Sequence, residues 1–405
     1  MPAVAIVALF LFLQAPDYQA DGLKALDAKN YQAAIDDFTK AAAADPKDYS
    51  AQFNLALAYS LSGKDAEAIP VYKKVLELKP GLYQAELNLG MLLLRDKNAK
   101  GAVPLLKSAA EQKPKEYRPA YYLGDALLTS GDPAGAEQAF QHAHQIDPKA
   151  AAAELGLARA EAQQKRLDDA APHFKHAAEL DPAFKDALLQ LAALYEANKQ
   201  NAQAVEIYKQ FPQDVAASEH AGQLLLADNH ATEAIPLLER AVKESPSAAN
   251  RVALAQAYVK NNDPQKALPL VEQALQEAPK DFDLRMFHAK LLRDQKNYAT
   301  AGQEFLIAAQ LKPDSAPAWN EYAGMMTLTN NYAEALAAYD RVRALGKETS
   351  ANFFFRAIIL DKMKDYKPAL ENYQKFLATS GGKFPDQEFQ ARQRSRIIEN
   401  ILSKR

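Results

Sequence analysis

The chain has 405 residues, 48% of them hydrophobic and 24% charged, with 80 alanines and a formal net charge of −3. That balance excludes wholesale disorder, which needs low hydrophobicity and high net charge, and it offers no basic field to draw nucleic acid. Cysteine is absent, which excludes disulfides, thiolate-bound zinc, iron–sulfur clusters and a cysteine nucleophile.

In chain order the first feature is an unbroken apolar run over residues 2–13 (PAVAIVALFLFL). A run of this length rises about 18 Å as a helix, short of a bilayer core of about 30 Å. It suits the apolar core of a signal peptide, with Ala15 as the small residue at a cleavage point. No Lys or Arg precedes it, and Leu13-Gln14-Ala15 is a poor small-x-small site. Residues 1–15 are therefore expected to be an export leader, which places the mature chain in the periplasm or outside the cell. An uncleaved membrane anchor, or an apolar helix packed on the first structural unit of a cytoplasmic chain, is the alternative.

Beyond the leader the prolines set the organisation. Pro46, Pro80, Pro114, Pro148 and Pro182 follow at intervals of 34, and Pro246, Pro279 and Pro313 resume the series. A period of this length belongs to a helix–turn–helix repeat. With the closing proline at position 32, position 20 is Ala in all eleven repeats, from Ala34 to Ala369, and position 8 is Gly or Ala throughout. Position 24 is aromatic in eight: Phe38, Tyr72, Phe140, Phe174, Tyr208, Phe305, Tyr339 and Tyr373. Small residues at positions 8 and 20 let two antiparallel helices approach closely. The aromatic one turn beyond position 20 fills the space toward the next repeat. The proline stops the second helix, since it lacks an N–H and restricts the residue before it.

These columns resemble the tetratricopeptide repeat family, as in Leu123-Gly124, Ala136, Phe140 and Pro148, and again in Trp319, Tyr322-Ala323, Ala335 and Tyr339. The resemblance implies an all-α solenoid, a right-handed superhelix of about eleven helical pairs over residues 16–382. With the leader, it points to a bacterial exported protein made of repeats. The seventh repeat starts at Val215, four residues early, and Pro212 closes the helix before it. A boundary is expected there, dividing repeats 1–6 (16–212) from repeats 7–11 (213–382). Prolines at position 22 (Pro70, Pro104, Pro172, Pro236 and Pro269) fall inside second helices, where each removes one backbone bond. Residues 383–405, opened by Pro385-Asp386 and holding six Lys or Arg against three Asp or Glu, read as a capping helix. Phe389, Ile397, Ile398, Ile401 and Leu402 are expected on its packing side. A basic docking site is the rival reading of this segment.

No phosphate-binding loop, dinucleotide fingerprint, nucleophile elbow or HExxH stands in the chain. His142, His144, His173 and His176 lie in two neighbouring second helices. His142 and His144 are two apart and point to different sides, so these residues read as solvated surface histidines and not as a metal site. Acidic residues such as Asp45, Asp147 and Asp181 stand just before the closing prolines as turn residues. Trp319 reads as core. No catalytic residue, cofactor site or metal site is expected.

The family resemblance implies that positions 2, 5, 9, 12 and 13 of each first helix line a concave face. In the first half that face carries Phe53, Leu57, Leu87, Met91 and Tyr121, an apolar lane suited to a partner. The competing reading is burial between helices. In the second half Lys260, Lys290 and Arg293 occupy groove positions and could attract an acidic segment. Asn54 and Asn88, at position 6, resemble two rungs of the asparagine ladder in the O-GlcNAc transferase array, without its catalytic region. The expected function is a non-enzymatic scaffold binding a partner peptide or protein of unknown identity along the concave surface. A regulatory or substrate-recruiting subunit of an envelope assembly is the alternative, and an enzyme with an unrecognised groove site is a distant one. Neither nucleic acid nor stable membrane insertion is expected.

Overall fold

The computed structural model describes residues 17–404; the leader-like run lies outside the described residues. Among the described residues there are 23 α-helices, a 3₁₀ turn at Pro182–Phe184 and no strand. The chain divides into two compact units, Met1–Lys199 and Gln200–Arg405. In the first unit the helices are α1 (Tyr18–Asp27), α2 (Tyr31–Ala44), α3 (Tyr49–Leu61), α4 (Asp65–Leu78), α5 (Tyr83–Arg95), α6 (Ala99–Gln112), α7 (Tyr117–Ser130), α8 (Pro133–Ile146), α9 (Ala151–Gln163), α10 (Leu167–Leu180) and α11 (Ala187–Ala197). In the second they are α12 (Asn201–Tyr208), α13 (Val215–Ala227), α14 (Ala231–Glu244), α15 (Ala248–Lys260), α16 (Pro264–Glu277), α17 (Phe282–Asp294), α18 (Tyr298–Leu311), α19 (Ala316–Leu328), α20 (Tyr332–Ala344), α21 (Ser350–Lys362), α22 (Tyr366–Ser380) and α23 (Pro385–Ser403). Each unit is a stack of helical pairs, the all-α solenoid that the period predicts. The missing turn falls in α12, which has 8 residues where α10 and α14 have 14.

The repeat columns form the core. Every position-20 alanine from Ala34 to Ala369 is at 0% exposure. The position-24 side chains are equally enclosed, including Leu106, Leu238 and Val271, where the aromatic is replaced. Their neighbours explain the small residues. A Cβ on Gly124, at position 8, would lie 2.7 Å from Phe140 Cδ1, and one on Gly156 in the next repeat 2.5 Å from the same atom. Position 24 thus presses on position 8 of its own repeat and on position 6 of the next, and a ring sits between its own first helix and the next one.

Turn chemistry repeats as strictly. At position 15 all eleven repeats put a residue in the left-handed region: Gly63 and Gly131, six lysines and three asparagines, with φ from 57° at Lys29 to 92° at Gly131. The following N–H then reaches back five residues, as in Asn98 N to Leu93 O at 2.8 Å and Asn331 N to Met326 O at 2.8 Å. This closes the first helix with a Schellman bond. Position 16 starts the second helix; Asn30, Asn98 and Asn297 accept a backbone N–H there. Asp45, Asp147 and Asp181 accept the N–H two residues on, at 3.0, 3.1 and 2.9 Å, as turn residues do. Second helices run unbroken through Pro70, Pro104, Pro172, Pro236 and Pro269.

The final helix α23 starts at Pro385 as expected and packs through Ile398 and Leu402 of the expected side, but two of the expected residues face out. Glu388, Ala391, Ser395 and Ile398 are buried, whereas Phe389 at 63% and Ile397 at 44% are exposed. Arg394 sets this rotation by donating Nε and Nη2 to Asp361 of α21, each at 2.7 Å. Trp319 is half-buried, its Nε1 donating to Pro313 O at 3.0 Å.

Two substitutions test this account by denaturant midpoint. Gly156→Ala should destabilise the first unit by about 1–3 kcal/mol through overpacking against Phe140. Gly131→Ala, where no neighbour approaches, should cost about 1–2 kcal/mol through the left-handed backbone alone.

Candidate partner-binding surface

The apolar lane of the first unit lies on α3, α5 and α7, and its members differ in how much surface they keep. Leu87 is 7% exposed and belongs to the core. Phe53 is half-buried and meets Tyr72 edge-on, ring centroids 5.7 Å apart at 73°. Tyr121 stacks on Tyr117 at 5.5 Å and leans on Phe140 at 5.8 Å. Burial pushes its phenol up from the usual range, and Asp125 adds to the shift. Leu57 and Met91 are half-buried, and Arg118 Nη2 rests 3.5 Å from the Met91 sulfur. Leu23 at 46% and Leu61 at 49% exposure extend the lane on α1 and α3. Leu61, at groove position 13, was not singled out in the sequence, although its column carried the signal. Both asparagines of the short ladder are engaged: Asn54 donates to Gln19 at 3.2 Å, and Asn88 to the Tyr72 hydroxyl at 3.0 Å.

Farther along the same unit, a cavity of about 640 Å³ opens beside Leu128, Arg159, Gln190 and Leu194. Arg159 Nε donates to Gln190 Oε1 at 3.1 Å. Asp125 is held above the usual carboxyl range by burial, with Arg159 opposing the shift.

The second unit has its own concavities. One of about 670 Å³ is lined by Gln223, Leu226, Val252, Gln256, Lys260 and Phe287. Small residues Ala249 and Ala253 on its wall make the room. Another of about 430 Å³ is lined by Asn320, Gly324, Leu328, Asn352 and Phe355. The three cations differ in availability. Lys260 Nζ donates to Leu226 O at 3.1 Å and Asn229 Oδ1 at 2.7 Å, closing the end of α13. Arg293 donates to both oxygens of Glu321 at 2.8 Å and to Asp294 at 3.0 Å. Burial works against its charge, but these carboxylates outweigh it and raise the guanidinium above its ordinary value. Lys290 is exposed. Local carboxylate and carbonyl partners thus already satisfy two of the three positions picked for an acidic segment.

The histidines depart from the sequence expectation. His144 of α8 and His173 and His176 of α10 all turn Nδ1 toward Glu154 of α9, at 2.9, 2.6 and 3.2 Å. Glu154 is 1% exposed, while the three imidazoles stay a third to a half exposed, so these surface histidines cover a buried carboxylate that the sequence did not place beside them. No group of three or more His and carboxylate side chains among the described residues is placed to hold a metal ion. No helix among them is long and apolar enough to cross a membrane.

Profiles described as tetratricopeptide repeat match residues 20–83, 93–142, 127–171, 161–227 and 225–291, well over half of the chain. Nothing among curated proteins matches it. Solved structures with similar folds include MamA 41-end from Desulfovibrio magneticus RS-1 at 25% identity and a TM-score of 0.39, covering 41% of this chain and 94% of that one. A second MamA structure, from AMB-1, has 27% identity and a TM-score of 0.39, covering 42% of this chain and 99% of that one. A chain of Naa15/Naa10 bound to HypK-THB has 15% identity and a TM-score of 0.39, covering 95% of this chain and 79% of that one.

The cation assignments give a contrast measurable by denaturant midpoint. Lys260→Ala should cost about 0.5–1.5 kcal/mol because Leu226 O and Asn229 Oδ1 each lose one donor. Lys290→Ala should stay within about 0.5 kcal/mol of the parent chain.

Proposed function

The chain belongs to the tetratricopeptide repeat family, and from that premise we propose that it is a non-catalytic scaffold capturing a partner protein or peptide along the first-helix face of residues 17–130. The observation that carries this reading is apolar surface kept at position 9 of successive repeats: Leu23 is nearly half exposed and Leu57 and Met91 are half-buried, with Leu61, one turn after Leu57 on α3, nearly half exposed as well. Isolated exposed apolar side chains need no explanation, but a row repeated at one register suits an interaction surface. Phe53, Leu87 and Tyr121 serve beneath it as the support that holds the row in place. The second unit offers a more polar groove in which Lys290 is exposed, with Lys260 and Arg293 available only if a partner displaces their present acceptors. We further propose that the partner is met outside the cytoplasm, on the strength of the apolar run at residues 2–13 and Ala15. N-terminal sequencing of the chain purified from its host should begin near residue 16; an intact leader on soluble cytoplasmic protein would overturn that placement.

For the groove, affinity purification identifies the partner and titration with the purified partner measures it. Leu57→Ser/Met91→Ser should weaken binding by tenfold or more while leaving helical content and melting temperature close to those of the parent. Unchanged affinity in that variant would refute the site.

A further inference from the structure

Glu154 differs from Glu86 and from the half-buried Glu304 and Glu321 in what compensates it. Glu86 accepts from Gln112 at 2.8 Å, Glu304 pairs with Arg285 at 2.6 Å, and Glu321 pairs with Arg293 at 2.8 Å. Among the described residues every ion-pairing partner of Glu154 is an imidazole. A carboxylate taken out of water needs a counter-charge, or its desolvation is not repaid. Here that charge exists only when a histidine carries a second proton.

The surroundings leave no substitute. From α8, His144 reaches Glu154, while Glu137 is taken up by Arg166 and Gln164. From α10, His173 and His176 reach it, and Asp169 is paired with Arg166. From α7, Asp125 and Tyr121 face Arg159, which shares no helix face with Glu154. On α9 itself Glu161 follows two turns later, 5% exposed, with Oε1 at 3.8 Å from His173 Nε2 and Oε2 without a hydrogen-bond partner. His144 Nδ1, although close, lies off the hydrogen-bond direction. The three Nδ1 atoms converge on one carboxylate, so the cluster is organised around a negative charge and not around a cation.

We propose that Glu154 with His144, His173 and His176 is a proton-operated clamp across α8, α9 and α10, which tightens this junction between the fourth and fifth repeats as pH falls. The first proton supplies the charge Glu154 lacks. The second is placed next to Glu161 through His173, whose Nε2 lies 3.8 Å from Glu161 Oε1. Further protons repel one another, so the gain levels off once both acids are matched. The carboxyl of Glu161 is raised by burial, with His173 and Arg166 opposing the shift. A folded-state value raised above the unfolded one makes stability rise as pH falls and wane as pH rises, which is the same sign as the clamp.

The test follows amide hydrogen exchange of α9 and α10, corrected for intrinsic rates, between about pH 8 and pH 6, where unperturbed histidine titrates. In the full chain, protection at the lower pH should exceed that at the higher by about tenfold, the change expected for one proton differentially bound by one pH unit. Glu154→Gln, which keeps the acceptor but not the charge, should flatten the response, and His142→Asn, outside the cluster, should leave it as in the parent. A Glu154→Gln chain with the full pH response would overturn the clamp. If that variant fails to fold, His173→Asn carries the same reading: a diminished response supports the proposal, and an undiminished one overturns it.

Discussion

The structure depends on one close contact: the side chain at position 24 pressed against a residue with little or no side chain at position 8. Phe140 is the clearest case, pressed against Gly124 at position 8 of its own repeat and against Gly156 at position 6 of the next. No helical pair can bury its apolar face alone, so this contact both joins two helices and hands the surface on to a third. Where the aromatic is lost, as at Leu106 and Leu238, the partner at position 8 is glycine and the aliphatic side chain still seals the gap, at 0% exposure. The constraint is one of volume, and aromaticity is one way of meeting it.

A second layer of contacts lies over that core and carries charge. Position 4 of the first helix faces position 23 of the second. In the first unit the pair is Glu154 with His173, and in the second it is Arg285 with Glu304, acid and base exchanged. The geometry asks for complementary polar groups and is indifferent to which helix holds the acid. The choice matters for chemistry, however. A guanidinium is charged at every physiological pH, whereas an imidazole is not, so the same register is a permanent ion pair in one unit and a protonation-dependent one in the other.

The turns explain how the groove positions are left free to vary. The left-handed residue at position 15 and the capping residue after it fix where each second helix starts, using backbone bonds and short polar side chains. Six of these eleven positions are lysine, which accepts the backbone strain because the tight turn over-determines it. With the turn and the core so defined, first-helix positions 5, 9 and 13 carry little structural demand in some repeats and more in others. At position 9 that unevenness separates the exposed Leu23 from the half-buried Leu57 and Met91.

The period of 34, the small columns, the closing prolines and the start of the last helix at Pro385 were all legible in the sequence, because each reports a contact between residues at a constant spacing. The left-handed column was legible only with the φ angles in hand, since lysine there disguises a position where glycine would be the usual sign. Side-chain availability was not legible at all. Lys260 and Arg293 look like free cations until Leu226, Asn229 and Glu321 are seen to hold them, and Phe389 looks like core until Arg394 and Asp361 set the rotation of α23. The histidines make the point most fully. Spacing within one helix correctly separates His142 from His144, yet it says nothing of a carboxylate arriving from another helix. A repeat sequence determines its register, because the same contact is written many times. Which polar groups meet at one junction is decided only where three helices converge, because that meeting is written once.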